Sequence, residues 1–423
     1  MKKISAAAAV ALLASVGNAN AAGYQLNEFS VTNLGRSFAG IGVAGDDYSA
    51  LGYNPAGMTL MKRSGMQAGL TMTEVASKIR GIGDQSGKKT DMDFMIPLPS
   101  MFGQYNVNDK LFLGAGIYVP FGLATRYGHD SFVAKDKNGV RRSELEVVDG
   151  NISAAYKVDN HLSLGVSGIL RHIKGKLTSN VNKTLPVYGY SNLGYSDFKV
   201  SGWSTTMNLG AMYEFDEDTR IGLSYRFKST QRTTGHHTVT VNPQFAAMAS
   251  SMLNMQDVNR YDSVSDPELP ASWILSGYHK FGEKWGTTAT VKYTQWHRFH
   301  VFPAYSDNPL KPDLGVQYRW KDAWNFALGQ DYYLNENWTL RAGLAWDQSP
   351  VPNNTYRTNR IPDTDRLWTS FGVSYATGNH QFDFGYAHLF MMHGKVWNSA
   401  EKDTNAKYKS YSNMYALQYQ YKF

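Results

Sequence analysis

Regular alternation between apolar and polar side chains is the feature that most limits how this chain can fold. In the C-terminal stretch 415–423, the odd positions carry tyrosine, leucine or phenylalanine, and the even positions 418–422 carry glutamine or lysine. The same period of two recurs at 162–171, 338–347 and 382–387. A period of two indicates β-strands, and strands of nine or more residues are long enough to cross a bilayer at a tilt.

The distribution of apolar residues favours a membrane β-barrel. After the first 22 residues the sequence has no run of about 18 apolar residues, the length of a membrane-spanning helix. Mean hydropathy is −0.40 although 42% of the residues are hydrophobic, which is typical of barrels that alternate lipid-facing and lumenal residues. A length of 423 residues would suit two or three soluble domains. A soluble β-sandwich is the alternative, but its strands are shorter.

The alternating segments predict fourteen strands. We place their starts near Gly65, Pro99, Lys110, Ser143, His161, Lys199, Thr219, Glu268, Lys284, Tyr318, Trp338, Arg366, His380 and Ser410. Short polar turns at 106–109, 159–160, 216–218, 282–283, 335–337 and 378–379 fall at every second connection, and the others are long. This asymmetry predicts an all-β, 14-stranded antiparallel transmembrane barrel over 64–423, with short turns and both chain ends on the periplasmic side.

The first residues predict export. Met1-Lys2-Lys3 is a positive n-region, residues 4–16 form a short apolar stretch, and Ala19-Asn20-Ala21 is a small-x-small cleavage site. The pattern predicts a signal peptide over 1–21 and a mature chain starting at Ala22. Together with the barrel, it predicts the bacterial outer membrane.

Charge and residue types limit the other classes. Cysteine is absent, which excludes disulfides, thiolate metal sites and cysteine nucleophiles. The net charge of +7 is spread along the chain, so nucleic acid is not an expected partner. His236-His237, His297/His300 and His393 lack metal-ligand spacing, and Gly40–Gly45 matches a dinucleotide fingerprint without a βαβ unit. No metal and no cofactor are expected.

The segment 22–63 does not alternate. It contains many glycines, together with apolar residues such as Phe29, Phe38 and Tyr48. Such a segment is either a periplasmic tail or a plug folded into the barrel lumen. The apolar residues argue for burial, so we predict an N-terminal hatch over 22–63.

Several motifs then identify a resemblance. AGYQLNEFS at 22–30, NLGRSFAG at 33–40 and YNPAGM at 53–58 resemble the N-terminal hatch of the FadL family, outer-membrane transporters of long-chain fatty acids and related hydrophobic compounds. FGLAT at 121–125, LP at 269–270, YTQW at 293–296, KDAW at 321–324, LRAG at 340–343, SPVP at 349–352 and IPDTDR at 361–366 continue the likeness in order. Within the hatch, the resemblance singles out Phe29, Arg36, Asn54, Pro55 and Ala56.

The resemblance implies a route for the ligand. A hydrophobic molecule would land in a groove of the outer loops, reach an apolar pocket against the hatch, and leave sideways through a kink in the third strand. Pro120, Phe121 and Gly122 fit that kink, because proline and glycine interrupt a strand ladder. An ordinary barrel-shaping bulge is the alternative.

The groove and the headgroup site are predicted from separate residues. Pro243 to Val258 is interpreted as a loop helix, whose apolar side would carry Phe245, Met248, Met252, Leu253 and Met255; a cap on the barrel rim that binds nothing is equally compatible. The other groove loop, Thr178 to Phe198, is short and has no evident helix. The resemblance implies that basic residues bind the ligand carboxylate, here Lys174 and Lys321, with Arg171 or Lys176 as an alternative partner.

Three classes of function therefore stand. The first is uptake of long-chain fatty acids or similar hydrophobic molecules, which includes aromatic hydrocarbons within the same family. The second is a general porin and the third a lipid hydrolase at the barrel wall. We expect a transporter that is not an enzyme. Its partners would be hydrophobic small molecules, outer-membrane lipid and lipopolysaccharide, and the assembly machinery that recognises a C-terminal strand ending in Phe423; we expect a monomer.

Overall fold

The structure is a computed structural model that describes residues 23–185, 189–308 and 314–423, apart from the side chain of Leu253. The predicted signal peptide, 1–21, lies outside the described residues. None of the helices in this part of the chain is long and apolar enough to span a membrane.

Fourteen antiparallel strands form a closed barrel. They are β1 (Gly65–Gly81), β2 (Lys89–Asn106), β3 (Leu111–Arg126), β4 (Val140–Lys157), β5 (Leu162–Leu185), β6 (Gly189–Glu214), β7 (Thr219–Arg226), β8 (Ser272–Phe281), β9 (Trp285–Thr294), β10 (Ala323–Tyr333), β11 (Trp338–Asp347), β12 (Arg366–Thr377), β13 (His380–Met391) and β14 (Ala406–Lys422). Pairing of β1 with β14, from Gly65 opposite Lys422 to Gly81 opposite Ala406, closes the wall. The predicted barrel is confirmed, and the β-sandwich alternative is wrong.

The two edges of the barrel differ as predicted. Connections β2–β3, β4–β5, β6–β7, β8–β9, β10–β11 and β12–β13 are short, and most of those at the opposite edge are long. The amide of Phe423 donates to the carbonyl of Ser64 at 2.9 Å, so the C-terminus lies where β1 begins, at the short-turn edge.

Strand faces follow the alternation. Ile152 and Leu417 are 76% and 66% exposed on the outer face, whereas Ser163, Ser167 and Gln420 are fully buried on the inner face. An apolar outer surface and a polar interior are the arrangement required of a barrel in lipid.

Several strands begin earlier than predicted. β2 starts at Lys89 instead of Pro99, and β6 starts at Gly189 instead of Lys199. These added parts lie at the long-loop edge. The described part of 178–198 is strand rather than loop, and it contains no helix.

Shorter elements lie in the outer loops and in the N-terminal segment. A hairpin of Thr233–Val241 and Val258–Ser265 pairs with the outer half of β6. Within the described residues, the α-helices are Val31–Leu34, Ala50–Tyr53 and Ala246–Leu253, and the 3-10 turns are Pro55–Leu60, Gly83–Gln85, Pro243–Phe245 and Trp296–Arg298. Two- and three-residue strands lie at Ser229–Thr230, Glu268–Leu269, Val301–Phe302, Tyr305–Ser306, Val316–Gln317 and Gly394–Val396.

The N-terminal segment from Gly23 lies inside the barrel. Its partners are buried residues of strands spread around the wall: Val31 N–H donates to Gln418 of β14, Gly40 N–H to Thr290 of β9, and Thr59 Oγ1 to Ser163 of β5, at 2.9–3.2 Å. A solvated periplasmic tail is thereby excluded for the described part of this segment.

Candidate functional site

An apolar cavity of about 400 Å³ lies beneath the outer hairpin. It is enclosed by this hairpin, the helix Ala246–Leu253, the outer ends of β5 and β6, and residues 314–316. Its apolar lining residues are Val140, Leu177, Val181, Leu193, Phe198, Val239, Val241, Phe245, Met248, Ala249, Met255, Leu314 and Val316. A pocket of this size and lining suits a hydrophobic small molecule.

The helix over the cavity is shorter than predicted. It ends at Leu253 because Asn254 adopts a left-handed backbone conformation, with φ of 52°. Of the residues predicted for the groove, Phe245, Met248 and Met255 line the cavity, whereas Met252 is 77% exposed and points away. The side chain of Leu253 lies outside the described residues.

A second, much smaller apolar space of about 30 Å³ lies beside this cavity and shares the lining residues Leu177 and Val316 with it. Tyr24 and Leu123 also line this inner space. Apolar side chains therefore lie between the outer hairpin and the N-terminal segment.

Tyr24, which lines the small inner space, is packed among aromatic rings. Its ring contacts Trp296 edge-on with centroids 4.7 Å apart, and it contacts Phe299 at 5.3 Å. Phe121 lies on another side, with centroids 6.0 Å apart. Tyr24 thus lines the small inner space and also contacts Phe121 of the third strand, one of the residues predicted at the kink.

The third strand is irregular at this point. Register between β3 and β4 shifts between Tyr118 and Phe121, and all residues from Tyr118 to Thr125 are buried, so the in–out alternation is lost. Pro120 lacks an amide hydrogen, so it cannot donate to a ladder. The strand is therefore irregular at Pro120, Phe121 and Gly122, and the register shift is compatible both with the kink and with the barrel-shaping bulge that the sequence left open.

Residues 24–26 of the N-terminal segment take the place of β2 beside the irregular part of β3. β2 pairs with β3 only as far as Met101 opposite Ile117. Beyond that point Leu26 N–H donates to the Pro120 carbonyl, Gly122 N–H donates to the Tyr24 carbonyl, each at 2.8 Å, and Gln25 lies opposite Phe121. The gap between β2 and β3 is therefore filled by residues 24–26.

The predicted hatch residues pack against the wall through close contacts. Asn54 accepts from Ala56 N–H and donates to the Ala211 carbonyl, both at 3.1 Å, and Pro55 begins the following 3-10 turn. A Cβ on Gly165 would lie 2.4 Å from the Ala56 nitrogen, so only glycine fits there. Elsewhere in the segment the ring of Phe29 is stacked on that of Tyr53, with centroids 4.1 Å apart.

Buried ion pairs fix the middle of the segment. Arg36 is 2.9 Å from Asp331 of β10 and 2.9 Å from Asp46, and Asp46 is also 2.9 Å from Arg341 of β11. Two arginines and two aspartates thus form a compact cluster between the segment and the wall. Removing one member would leave an opposite charge buried without its partner.

Comparison with known proteins matches this architecture. The family model described as outer membrane protein transport protein (OMPP1/FadL/TodX) matches residues 10–423. The chain is 30% identical to the long-chain fatty acid transport protein of Escherichia coli O6:H1, over 96% of this chain and 94% of that protein. It is 32% identical to outer membrane protein P1 of Haemophilus influenzae, over 98% of both chains. The chain belongs to the OMPP1/FadL/TodX family.

Solved structures agree on the fold of this FadL-family barrel. A FadL homologue from Pseudomonas aeruginosa superposes with a TM-score of 0.84, 21% identity and coverage of 95% of this chain and 100% of that one. The toluene transporter TodX of Pseudomonas putida gives a TM-score of 0.68 and 19% identity, over 95% and 100% of the two chains. The protein is an outer-membrane β-barrel.

The three basic residues expected at the ligand carboxylate are not brought together in this FadL-family protein. Lys174 is on the outer face of β5, the face that also carries exposed Leu170, and it lies 3.8 Å from Glu146, which corrects its expected orientation toward the interior. Lys321 is exposed and lines neither apolar space.

Arg171 faces inward but is already paired. Its Nε and Nη2 atoms donate to the two carboxylate oxygens of Asp149 at 2.6 and 2.7 Å, and Nη1 donates to Ser229. Its guanidinium also lies 5.1 Å from the centre of the Phe121 ring. A ligand carboxylate would have to compete with Asp149 for Arg171.

Sequence reasoning missed the cations that border the cavity, among which Arg360 is half-buried. Arg360 precedes the motif at 361–366, and its guanidinium lies at the inner end of the outer cavity. Its position depends on how the 347–366 loop folds back over β4 and β5. The only indication in the sequence was that Arg360 directly precedes Ile361, the first residue of a motif that resembles the family.

Proposed function

We propose that this protein takes up long-chain fatty acids, or similar hydrophobic molecules, through the outer membrane. The family and the names of the relatives supply the class of cargo, and the apolar spaces supply the route. Membership in a transport family and an apolar cavity together favour a transporter over an enzyme.

The observation that carries the proposal is that the two apolar spaces adjoin. Leu177 and Val316 border both spaces, so in this proposal a hydrophobic chain that enters at Phe245 passes these two residues on its way to Tyr24. Each buried methylene contributes about 0.8 kcal/mol, which favours this route over a water-filled lumen.

In this proposal residues 22–63 act as a hatch and the break in β3 as a lateral exit. The barrel interior beyond Tyr24 is filled by packed side chains of the N-terminal segment and the wall, whereas the edge of β3 at Pro120–Gly122 faces the gap beside β2. Release of residues 24–26 from this edge would cost two backbone hydrogen bonds and open a way sideways. Leu26 packs there with Ile96, Leu98 and Val119, so the gap is lined by apolar side chains.

A monoaromatic hydrocarbon is the second candidate cargo. The aromatic rings around Tyr24 form a compact apolar cluster with Trp296, Phe299 and Trp320, which would suit a flat ring as well as an alkyl chain. The family model includes TodX in its description, and a solved TodX is titled a toluene transporter.

The remaining alternatives differ in what they require. A general porin needs an open aqueous lumen, whereas buried contacts of residues 23–63 cross this one. A hydrolase would release fatty acid from phospholipid in an assay with purified protein. Lipopolysaccharide contacts, delivery by the assembly machinery through Phe423, and a monomeric state belong to the proposal and follow from the barrel class.

Uptake of labelled oleate by cells with and without this protein tests the proposal. We expect faster uptake with the protein. Unchanged oleate uptake with a response to labelled toluene would assign the aromatic cargo, and high ion conductance with neither response would assign a porin.

A further inference from the structure

The outer cavity contains a cation that lacks an acidic partner. Arg360 is half-buried, and its Nη2 donates to Ser179 Oγ at 2.8 Å while Nη1 donates to Ser143 Oγ at 3.3 Å and to the Arg142 carbonyl at 3.5 Å. Among the described residues, no carboxylate oxygen lies within the 4.0 Å of an ion pair with this guanidinium. A guanidinium has five N–H donors, so donors remain for a ligand.

The position of Arg360 relates it to both apolar spaces. Arg360 and Ser179 border the outer cavity, while Ser143 and Ile361 border the inner one. The guanidinium therefore lies at the junction, where two serine hydroxyls hold it. Lys137 and Lys183 also border the outer cavity, but both are exposed at its rim.

The acidic residues of the cavity accept hydrogen bonds from other groups. Glu401 accepts from the Gln317 amide at 2.8 Å, and Asp403 accepts from Asn138 Nδ2 at 2.8 Å and from the Asn359 amide at 2.9 Å. Burial raises the pKa of Asp403 above its usual value, and the positive charge of Arg360 opposes that rise without forming an ion pair.

We propose that Arg360 binds the carboxylate of an anionic amphiphile whose alkyl chain fills the adjoining apolar cavity. This assignment rests on the proposed function and refines it, because it selects carboxylates over neutral hydrocarbons and names a cation other than Lys174, Lys321 and Arg171. Two N–H groups of a guanidinium match the two oxygens of a carboxylate, so a bidentate pair is formed without moving Asp149.

The test compares two ligands with the same alkyl chain, oleate and the neutral oleyl alcohol, on the purified full-length protein in detergent. We expect R360Q to weaken oleate binding about tenfold or more, the effect of losing a charge-assisted hydrogen bond, and to change oleyl alcohol binding less than about twofold. R360K retains the charge and should recover part of the oleate affinity. R357Q is the control: Arg357 belongs to the same loop, donates to the Asp363 carbonyl at 2.8 Å and borders neither apolar space.

The outcomes separate this inference from the proposed function. Equal loss of both ligands in R360Q would show that Arg360 only supports the loop, and unchanged oleate binding would show that it does not contact the headgroup; either result overturns the inference alone. A wild-type protein that binds neither ligand would overturn the proposed function and the inference with it.

Discussion

The backbone amide of Leu26 donates a 2.8 Å hydrogen bond to the carbonyl of Pro120, so the N-terminal segment is paired directly with the bend in the third strand. The neighbouring bond, from Gly122 to Tyr24, has the same length. The segment therefore supplies backbone partners to the edge of β3 from which β2 has separated. Movement of a few N-terminal residues would expose that edge, which couples the hatch to the proposed exit.

The ion cluster predicts that Arg36 keeps the hatch in place. R36A would leave Asp331, which is 1% exposed, without its closest cation, and breaking a buried pair in this way costs about 3–5 kcal/mol. We expect faster hydrogen exchange in residues 23–63 and larger ion conductance in planar bilayers. R63A removes an exposed arginine from the end of the same segment and should change neither, and equal conductance for R36A and wild type would contradict the prediction.

The close approach at Gly165 predicts a second way to dislodge the hatch. In G165A the new Cβ would lie 2.4 Å from the nitrogen of Ala56 and 2.5 Å from the Pro55 carbonyl carbon. Because both atoms belong to the backbone, the 3-10 turn Pro55–Leu60 would have to shift, and we expect a destabilisation of about 1–3 kcal/mol. Thermal unfolding of the purified barrel measures this effect.

The same strand provides the control. Gly168 faces outward, and a Cβ there would meet nothing within 4 Å. G168A should therefore unfold at the wild-type temperature. Equal melting temperatures for G165A and G168A would show that the turn is not held against β5.

Two residues of the same outer helical region are expected to contribute differently to oleate affinity, because one lines the cavity and the other is exposed. F245A removes a buried ring from the cavity, and since burial of such a side chain contributes about 1.5–3 kcal/mol, oleate affinity should fall about tenfold or more. M252A alters a methionine of the neighbouring helix that is 77% exposed, and we expect wild-type affinity. Equal affinities for F245A and M252A would place the ligand outside this cavity.

The outer loops predict a pH dependence. Burial raises the pKa of Asp136 to about 6, while its carboxylate accepts from the amides of Gly139 and Thr404 at 2.8 and 2.9 Å. Because the folded pKa is above the unfolded value, the folded loop retains a proton that the unfolded loop has lost between about pH 4 and pH 6. Docking of 127–139 on 400–405 should strengthen as the pH falls through 6.

Hydrogen exchange of residues 127–139 at pH 5 and pH 7, corrected for intrinsic rates, measures this dependence. D136N carries no titrating group at this position and should remove most of the difference. Protection that increases from pH 5 to pH 7 in the wild type would have the wrong sign.

The sequence predicted the barrel well because alternation is imposed by lipid along most of each strand. It failed at Lys89–Leu98 and Gly189–Phe198, the parts of these strands at the long-loop edge, where the expected alternation was not recognised. The orientation of Lys174 was recoverable, since it shares its parity on β5 with Leu170, which faces outward.

Other parts of the candidate site could not be predicted from any local sequence pattern. The position of Arg360 depends on contacts with Ser143 and Ser179, which are far apart in sequence. Pairing of Leu26 with Pro120 likewise depends on the separation of β2 from β3, which no local motif announces. The motif around Pro120 did indicate where strand pairing becomes irregular, because proline and glycine limit strand pairing wherever they occur.

A reversible lock between Gln25 and Phe121 tests the central claim most directly. These residues form an isolated antiparallel bridge flanked by the Leu26–Pro120 and Gly122–Tyr24 hydrogen bonds, which makes them a non-hydrogen-bonded pair with Cα atoms about 4.5 Å apart, within disulfide range. The chain has no cysteine, so Q25C/F121C can form only this bridge. Oleate uptake by cells carrying the double variant should be lost on oxidation and return on reduction, while Q25C and F121C alone stay insensitive to oxidant. Undiminished uptake by the fully oxidised double variant would contradict the account, because the N-terminal segment would then not have to leave the third strand.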